Sequence, residues 1–246
     1  MAGSLADRSV DGRSRLAAVG PPARAIGAGA VALFDLDGTI TRRDTYLAYL
    51  LGFLLRHPER LLRAAPLPFA VLRHFAGQRD NTWLKTTFLR AILSRVPRHV
   101  LESWTESFLD RVLANGLRPG ARKAIERHRA AGHRLVMVTA SLDFYAEPLS
   151  RRLGFDAVLC TRAAYDAEGR VTSALDGDNC YGECKLRHVE RYLAEDAAGL
   201  PVICYSDHHA DLPLLRFATE PVAVNPSRRL KGAALRQGIT IEDWNR

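Results

Sequence analysis

The chain has little of what marks a secreted, disulfide-stapled or membrane-embedded protein. Its four cysteines, Cys160, Cys180, Cys184 and Cys204, spread over 246 residues, are too sparse for a disulfide framework, so a reducing compartment is expected. Cys180, Cys184 and His188 fall at helical spacing, but a zinc site needs a fourth ligand that the local sequence does not offer. These thiols are read as inert. No apolar run reaches the ~20 residues of a spanning helix. The strongest, Tyr46 to Leu55, stops at Arg56-His57-Pro58, and the next, Ala64 to Leu72, carries Pro66 and Pro68. Residues 1–29 hold no apolar run at all, which excludes a signal peptide there, and their Ala, Gly, Arg and Ser content reads as a disordered leader. No internal repeat is visible. The expected location is the cytoplasm, with peripheral attachment at the inner membrane face as the alternative.

Acid is also scarce in one region. The net charge is +8, and it is unevenly placed: between Arg43 and His99 ten Lys and Arg stand against three acids. Such a region attracts phosphorylated substrates, anionic headgroups or nucleic acid, and it is equally compatible with an ordinary solvated face. The two short apolar stretches lie in this same region. A helical pair buried in a small domain is the favoured reading, and an interfacial segment with arginines at headgroup level is its rival.

What is present is an alternation of strands and helices. Val31-Ala-Leu-Phe34 follows a glycine and runs into acids, the pattern of a buried parallel strand. Leu135 to Val138, Ala157 to Cys160, Val202 to Tyr205 and Pro221 to Val224 repeat that signal. Helices are expected from Pro119 to Gly132, from Asp143 to a stop at Gly154, and from Glu183 to Leu193; Tyr165 to Gly169 reads as a hairpin turn. The expected fold class is therefore α/β, a doubly wound parallel sheet. From about 44 to 113 the period is helical instead, as Leu84, Phe88 and Ile92, or Leu101, Trp104, Phe108 and Val112, show. This divides the chain into a Rossmann-like core (30–42 and 116–246) and an inserted helical cap (43–115).

The first strand runs straight into Asp35-Leu-Asp37-Gly-Thr39. Residues two apart on an extended chain point the same way, so both carboxylates face one pocket, beyond the carboxyl ends of the strands. That suits a nucleophile beside a general acid. Three further pieces fall at strand ends or helix starts. Thr139-Ala140-Ser141 offers a hydroxyl and turn amides to phosphate oxygens. Lys185 opens a helix. Asp207 and Asp211 are two acids four apart after the fourth buried strand. Four carboxylates in one cleft repel unless cations are present. Mg²⁺ fits an oxygen-only set, and Lys185 supplies further positive charge.

This ordered set resembles the haloacid dehalogenase superfamily of phosphatases, and more narrowly the phosphoserine phosphatase-like branch with a helical cap between the first and second motifs. The resemblance covers residues 30 to 245. It implies Asp35 as nucleophile and Asp37 as the acid, then the base, of a two-step hydrolysis. It implies phosphate binding by Thr139, Ala140 and Lys185. Mg²⁺ would be held by Asp35, the main-chain carbonyl of Asp37, and Asp207, with Asp211 direct or through water. Gly38 and Thr139-Ala140-Ser141 stand where phosphoserine phosphatases usually carry Ser and Ser-Gly-Gly, which points away from phosphoserine, and His208-His209 fill a spot usually given to smaller residues. The Leu-rich, Arg-punctuated cap is similar to that of phosphatidylglycerophosphate phosphatases, so the expected substrate is a small phosphomonoester or a lipid phosphate. Phosphotransfer on the same scaffold, or a non-catalytic membrane-surface or nucleic-acid binding module, are the alternatives; no specific nucleic acid is expected.

Overall fold

The computed structural model describes residues 29–246, so the expected disordered leader lies, but for Gly29, outside the described residues. The first strand, β1 (Val31–Phe34), is buried at all four positions. Its alternation splits it between two hydrophobic cores: Ala32 and Phe34 pack on one side of the sheet, Val31 and Leu33 on the other. A strand apolar on both faces belongs at the centre of a parallel sheet. β1 pairs in parallel with β2 (Arg134–Leu142) on one side and with β6 (Val202–Ser206) on the other. Between them in the chain come α7 (Asp143–Leu153), β3 (Ala157–Thr161), the hairpin β4 (Ala163–Tyr165) and β5 (Val171–Leu175), and α8 (Glu183–Asp196). After β6 follow α9 (Leu212–Phe217), β7 (Glu220–Val224), α10 (Arg228–Gln237) and β8 (Thr240–Glu242). The six-stranded sheet has the order β3-β2-β1-β6-β7-β8, and every pairing in it is parallel. The strands run outward from β1 in one direction, then restart at β6 and run the other way. The crevice between β1 and β6 is thus the topological switch point, where α/β sheets bind ligands.

The chain leaves the sheet after β1 and forms α1 (Thr45–Arg56), α2 (Leu61–Ala64), α3 (Leu67–Phe75), α4 (Asn81–Phe88) and α5 (Arg98–Arg111) before α6 (Pro119–Ala130). Asp44 caps α1 by accepting from Leu47 N at 2.7 Å, and Asp80 caps α4 by accepting from Trp83 N at 2.7 Å. Each satisfies an amide that the first helical turn leaves free. The entering and leaving segments are laced together: Arg42 N donates to Gly116 O and Arg118 N to Ile40 O, both at 2.9 Å. The insert packs down through Tyr49, whose ring stacks on Tyr145 of α7 at 5.0 Å between centroids and whose hydroxyl lies 2.9 Å from Thr105 Oγ1.

Four features depart from the sequence reading. β2 continues past Val138 to Leu142, with a break in its pairing register to β3 over that stretch, so Thr139-Ala140-Ser141 lies within an irregular strand rather than after it. The β4–β5 hairpin, placed in the core by its position in the chain, bonds to the insert: Arg95 N donates to Val171 O at 2.8 Å and Val171 N to Val96 O at 3.0 Å. β8 leaves no signal in the sequence, because Thr240-Ile-Glu242 is too short to show a period. The helical pair expected to be buried is buried on one stripe only. Tyr49, Leu50, Phe53 and Leu54 face inward, while Leu55 is 83%, Leu62 88% and Phe75 81% exposed.

Candidate active site

The carboxyl ends of β1 and β6 bring together the acids that the sequence singled out. Lys185, near the start of α8 and 2% exposed, places its Nζ 2.7 Å from Asp35 Oδ1 and 2.7 Å from Asp211 Oδ2. Ser206 Oγ donates to the same Asp211 oxygen at 2.7 Å. Asp211 stands just before α9, at the end of a single tight turn from His209. Thr39 ties the two acidic strand ends: its Oγ1 donates to Asp35 Oδ2 at 3.1 Å and accepts from Asp207 N at 3.0 Å. Asp35, Asp37, Thr139, Ala140, Lys185, Asp207 and Asp211 all line one cleft of about 550 Å³, which α1, α3 and α4 close with Tyr46, His74, Asn81 and Lys85.

Asp37 is held apart from this cluster. Its Oδ1 accepts from both the amide and the hydroxyl of Thr45 at 2.6 Å, and its Oδ2 accepts from Ser141 Oγ at 2.7 Å. The side chain is thereby aimed by one residue of the insert and one of β2. Between the two aspartates and β6, Gly38 adopts φ +82°, and a Cβ there would lie 2.2 Å from Asp207 Oδ2. Glycine is required twice over, by the left-handed backbone and by the carboxylate pressed against it. Thr139, expected to present its hydroxyl to a ligand, uses that oxygen to accept from Ser141 N at 3.0 Å.

The electrostatics show which charges the site lacks. Burial pushes Asp35 up to about 8, against the pull of Lys185 and with Asp211 and Asp207 adding to the rise. Asp207 is pushed up to about 6, first by burial and then by Asp211. Burial, then Asp44, raises Asp37 above the carboxylate range, against the bonds from Ser141 and Thr45. Burial pulls Lys185 down, but Asp211 and Asp35 outweigh it and hold the ammonium charged, above the usual lysine range. One internal ammonium pairs with Asp35 and Asp211, and among the described residues Asp207 beside them has no cation of its own; all three offer hard oxygen donors. The arrangement fits a divalent cation of the Mg²⁺ type, with Asp35, Asp207, Asp211 and the carbonyl of Asp37 as the available donors.

Sequence reasoning missed two basic residues of the cleft. By sequence Lys85 belongs to the cationic stretch between Arg43 and His99, yet it is 5% exposed. Its Nζ donates to Asn179 Oδ1 at 2.6 Å and to the carbonyl of Ala140, and burial pushes it down to about 8. Its signal was faint: one lysine on the face between Leu84 and Phe88. Arg118 donates from Nε to Gly38 O at 2.9 Å, bracing the turn between the aspartates. Cys180 does not join Cys184 and His188, because its thiol points into the sheet toward Leu159 O. Asp178 takes its place, within 4.8 Å of both, and is paired with Arg187.

Comparison with known proteins agrees with this geometry. The haloacid dehalogenase-like hydrolase family profile matches residues 32–216, which include all four motifs. A histidinol-phosphatase of Neisseria meningitidis is 26% identical over 86% of this chain and 97% of its own length. Among solved structures, a Bordetella pertussis protein of unknown function is 29% identical, with a TM-score of 0.76 over 88% of this chain and 99% of its own. A substrate-bound phosphoserine phosphatase complex, 17% identical, shares the fold with a TM-score of 0.62 over 88% of this chain and 94% of its own. The chain belongs to the haloacid dehalogenase-like hydrolase family, and its fold is that of the family's phosphoserine phosphatase-like branch.

Proposed function

We propose that the protein is a magnesium-dependent phosphomonoester hydrolase that passes through a phosphorylated Asp35. The observation that carries this reading is the position of Lys185 Nζ, 2.7 Å from both Asp35 and Asp211, with Asp37 buried on the same strand end but outside that ion-pair cluster. Asp35, raised to about 8 beside Lys185 alone, is ionised and nucleophilic when a divalent cation adds to the charge that Lys185 supplies. Asp37, raised by burial and held by Thr45 and Ser141 instead of by Lys185, suits the general acid. An oxygen of Asp35 attacks phosphorus, the ester P–O bond breaks, and Asp37 gives its proton to the departing alkoxide. Water then attacks phosphorus, yields a proton to the Asp37 carboxylate, and releases inorganic phosphate and the Asp35 carboxylate. Thr45 and Ser141 hold Asp37 in place for both transfers. Lys185, Thr139 and the Ala140 backbone position the phosphoryl oxygens. Mg²⁺, when bound, neutralises the acids and the charge developing on phosphate.

In this reading residues 43–115 form a cap that closes the cleft, and Lys85 fastens α4 to Ala140 of β2. A cleft of about 550 Å³ suits a small phosphomonoester. The histidinol-phosphatase relative supports the same class. A lipid phosphate is favoured by one further feature: beside the cleft, sharing Arg42, Arg43 and Asp44 with it, runs a groove of about 820 Å³ walled by Leu51, Leu55, Trp104 and Val112. The test is turnover of a phosphomonoester panel that includes a short-chain lipid phosphate, with Mg²⁺ and with chelator. Hydrolysis that persists in chelator, or none on any substrate, defeats the proposal.

Two variants probe the cation site. Asp207→Asn removes a donor while keeping its shape, and the Mg²⁺ concentration for half-maximal rate is expected to rise by at least about tenfold. An unchanged titration removes Asp207 from the metal set. Gly38→Ala sets a methyl against the same carboxylate in a left-handed backbone, a strain of about 1–3 kcal/mol. It is expected to lower turnover by at least about tenfold and to raise the Mg²⁺ requirement in parallel. Wild-type kinetics in this variant would show that the close approach of Gly38 to Asp207 is not needed.

A further inference from the structure

Twelve large apolar side chains are exposed among the described residues, and eight of them fall between Leu47 and Phe75. They are not scattered. On α3, Phe69, Leu72 and Phe75 recur every three residues on the solvent side, while Leu67 and Ala70 face inward. Leu62 projects from α2, and Leu51 and Leu55 lie four apart on α1. Single exposed leucines need no explanation, but three successive helices with an apolar outer stripe do. Between residues 51 and 75 the only acid is Glu59, against Arg56, Arg60, Arg63 and Arg73. Arg60 is not free to serve a partner, since its guanidinium donates to Ile92 O at 2.8 Å and Ser94 O at 3.1 Å. The guanidinium of Arg73, whose Nε donates to Gln78 Oε1 at 3.3 Å, lies over the exposed Phe69 ring at 5.9 Å, apolar and cationic groups side by side.

We propose that α1–α3 dock on an anionic lipid bilayer, with the leucine and phenylalanine tips in the interface and Arg63 and Arg73 among the headgroup phosphates. The charge pattern selects the occupant. A second copy of this chain would bring the same positive charge to the contact, whereas an anionic bilayer offers apolar depth and negative charge together. No helix among the described residues is long and apolar enough to cross a membrane, so the helices lie on the surface. The same helices supply Tyr46 and His74 to the cleft wall, which sets the proposed membrane face next to the cleft. The inference does not depend on the catalytic reading, because binding is measured without substrate.

The experiment is co-sedimentation of the full chain with vesicles of phosphatidylcholine alone and of equal parts phosphatidylcholine and phosphatidylglycerol, at low and high salt. Binding is expected to the anionic vesicles only and to weaken as salt screens the arginines. The double variant Phe69→Ser/Phe75→Ser is expected to bind at least about tenfold more weakly, since each tip loses part of the ~1.5–3 kcal/mol of a buried apolar side chain. Its hydrolysis of a small aryl phosphate is expected to equal that of the wild type. Equal binding to both vesicle types, or to neither, overturns the proposal. So does a dimer by light scattering that the double variant abolishes while vesicle binding stays absent, for then a second copy covers the face.

Discussion

Asp35→Asn is expected to lower phosphomonoester turnover by at least about a thousandfold while leaving the circular-dichroism spectrum unchanged. A carboxamide cannot attack phosphorus, so the loss falls on the first chemical step and not on substrate binding. The fold survives for a reason visible in the site. With the carboxyl pushed up to about 8, Asp35 without a divalent cation is mostly protonated near neutrality, and a neutral carboxamide of the same shape resembles it closely. Lys185 keeps Asp211 as a partner at 2.7 Å. Melting in chelator is therefore expected at a temperature close to wild type. Acid quenching during turnover is expected to trap a hydroxylamine-labile phosphoprotein in the wild type and none in the variant. A variant that still hydrolyses esters at near the wild-type rate removes Asp35 from the nucleophile role.

Much of this arrangement is legible in the sequence, for a reason that also marks where legibility ends. Asp35 and Asp37 follow a strand with apolar residues at every position, which fixes both the depth of the strand in the sheet and the direction in which its end points. Thr139-Ala140-Ser141, Asp207 and Asp211 follow the same kind of signal, Lys185 comes near the start of α8, and the parallel sheet then brings these ends to one edge. Convergence follows from topology. Lys85 lies outside that logic. A lysine among Asn81-Thr-Trp-Leu and Thr86-Thr-Phe88 looks like a member of a solvated face, and only the packing of α4 onto Asn179 and Ala140 reveals that it is buried. The same one-dimensional view misjudged α1–α3, because an apolar run says that a segment is hydrophobic and not which of its side chains find partners. The β4–β5 hairpin was assigned by its place in the chain, whereas its backbone bonds to Val96 and Arg95 come from the insert. The departures therefore gather where the insert meets the core, and there the pairing is set by three-dimensional docking.

The ion pairs at Lys185 predict the largest change in stability. Lys185→Met keeps the length and apolar stem of the side chain but removes the ammonium that two buried carboxylates share. Stripping one partner from a buried ion-pair cluster costs on the order of 3–5 kcal/mol, since the charges left behind have no water to replace it. The sign of the pH dependence follows from the acids. Asp35 is already raised to about 8 in the presence of Lys185, whose charge pulls it down, and without that charge Asp35 shifts further upward. A carboxyl whose folded value exceeds its unfolded value binds more protons when folded, so stability falls as pH rises from the ordinary carboxylate value toward the folded one. Up to about pH 8 Asp35 holds its proton in both folded proteins, so the part of the deficit that it carries is expected to be small near about pH 7 and to grow above about pH 8, where only the wild type ionises it against Lys185. Urea unfolding in chelator at the two pH values measures it. Added Mg²⁺ is expected to recover part of the loss at the higher pH, because the cation replaces the missing charge and binds only the folded site. Turnover is not expected to recover: without the ammonium on the phosphoryl oxygens it stays down by at least about a hundredfold. Lys185→Arg, which restores charge but not reach, is expected to regain stability more than rate. A deficit equal at both pH values would place the loss in packing rather than in unpaired carboxylates, and Lys185 would then be a core residue that happens to be charged.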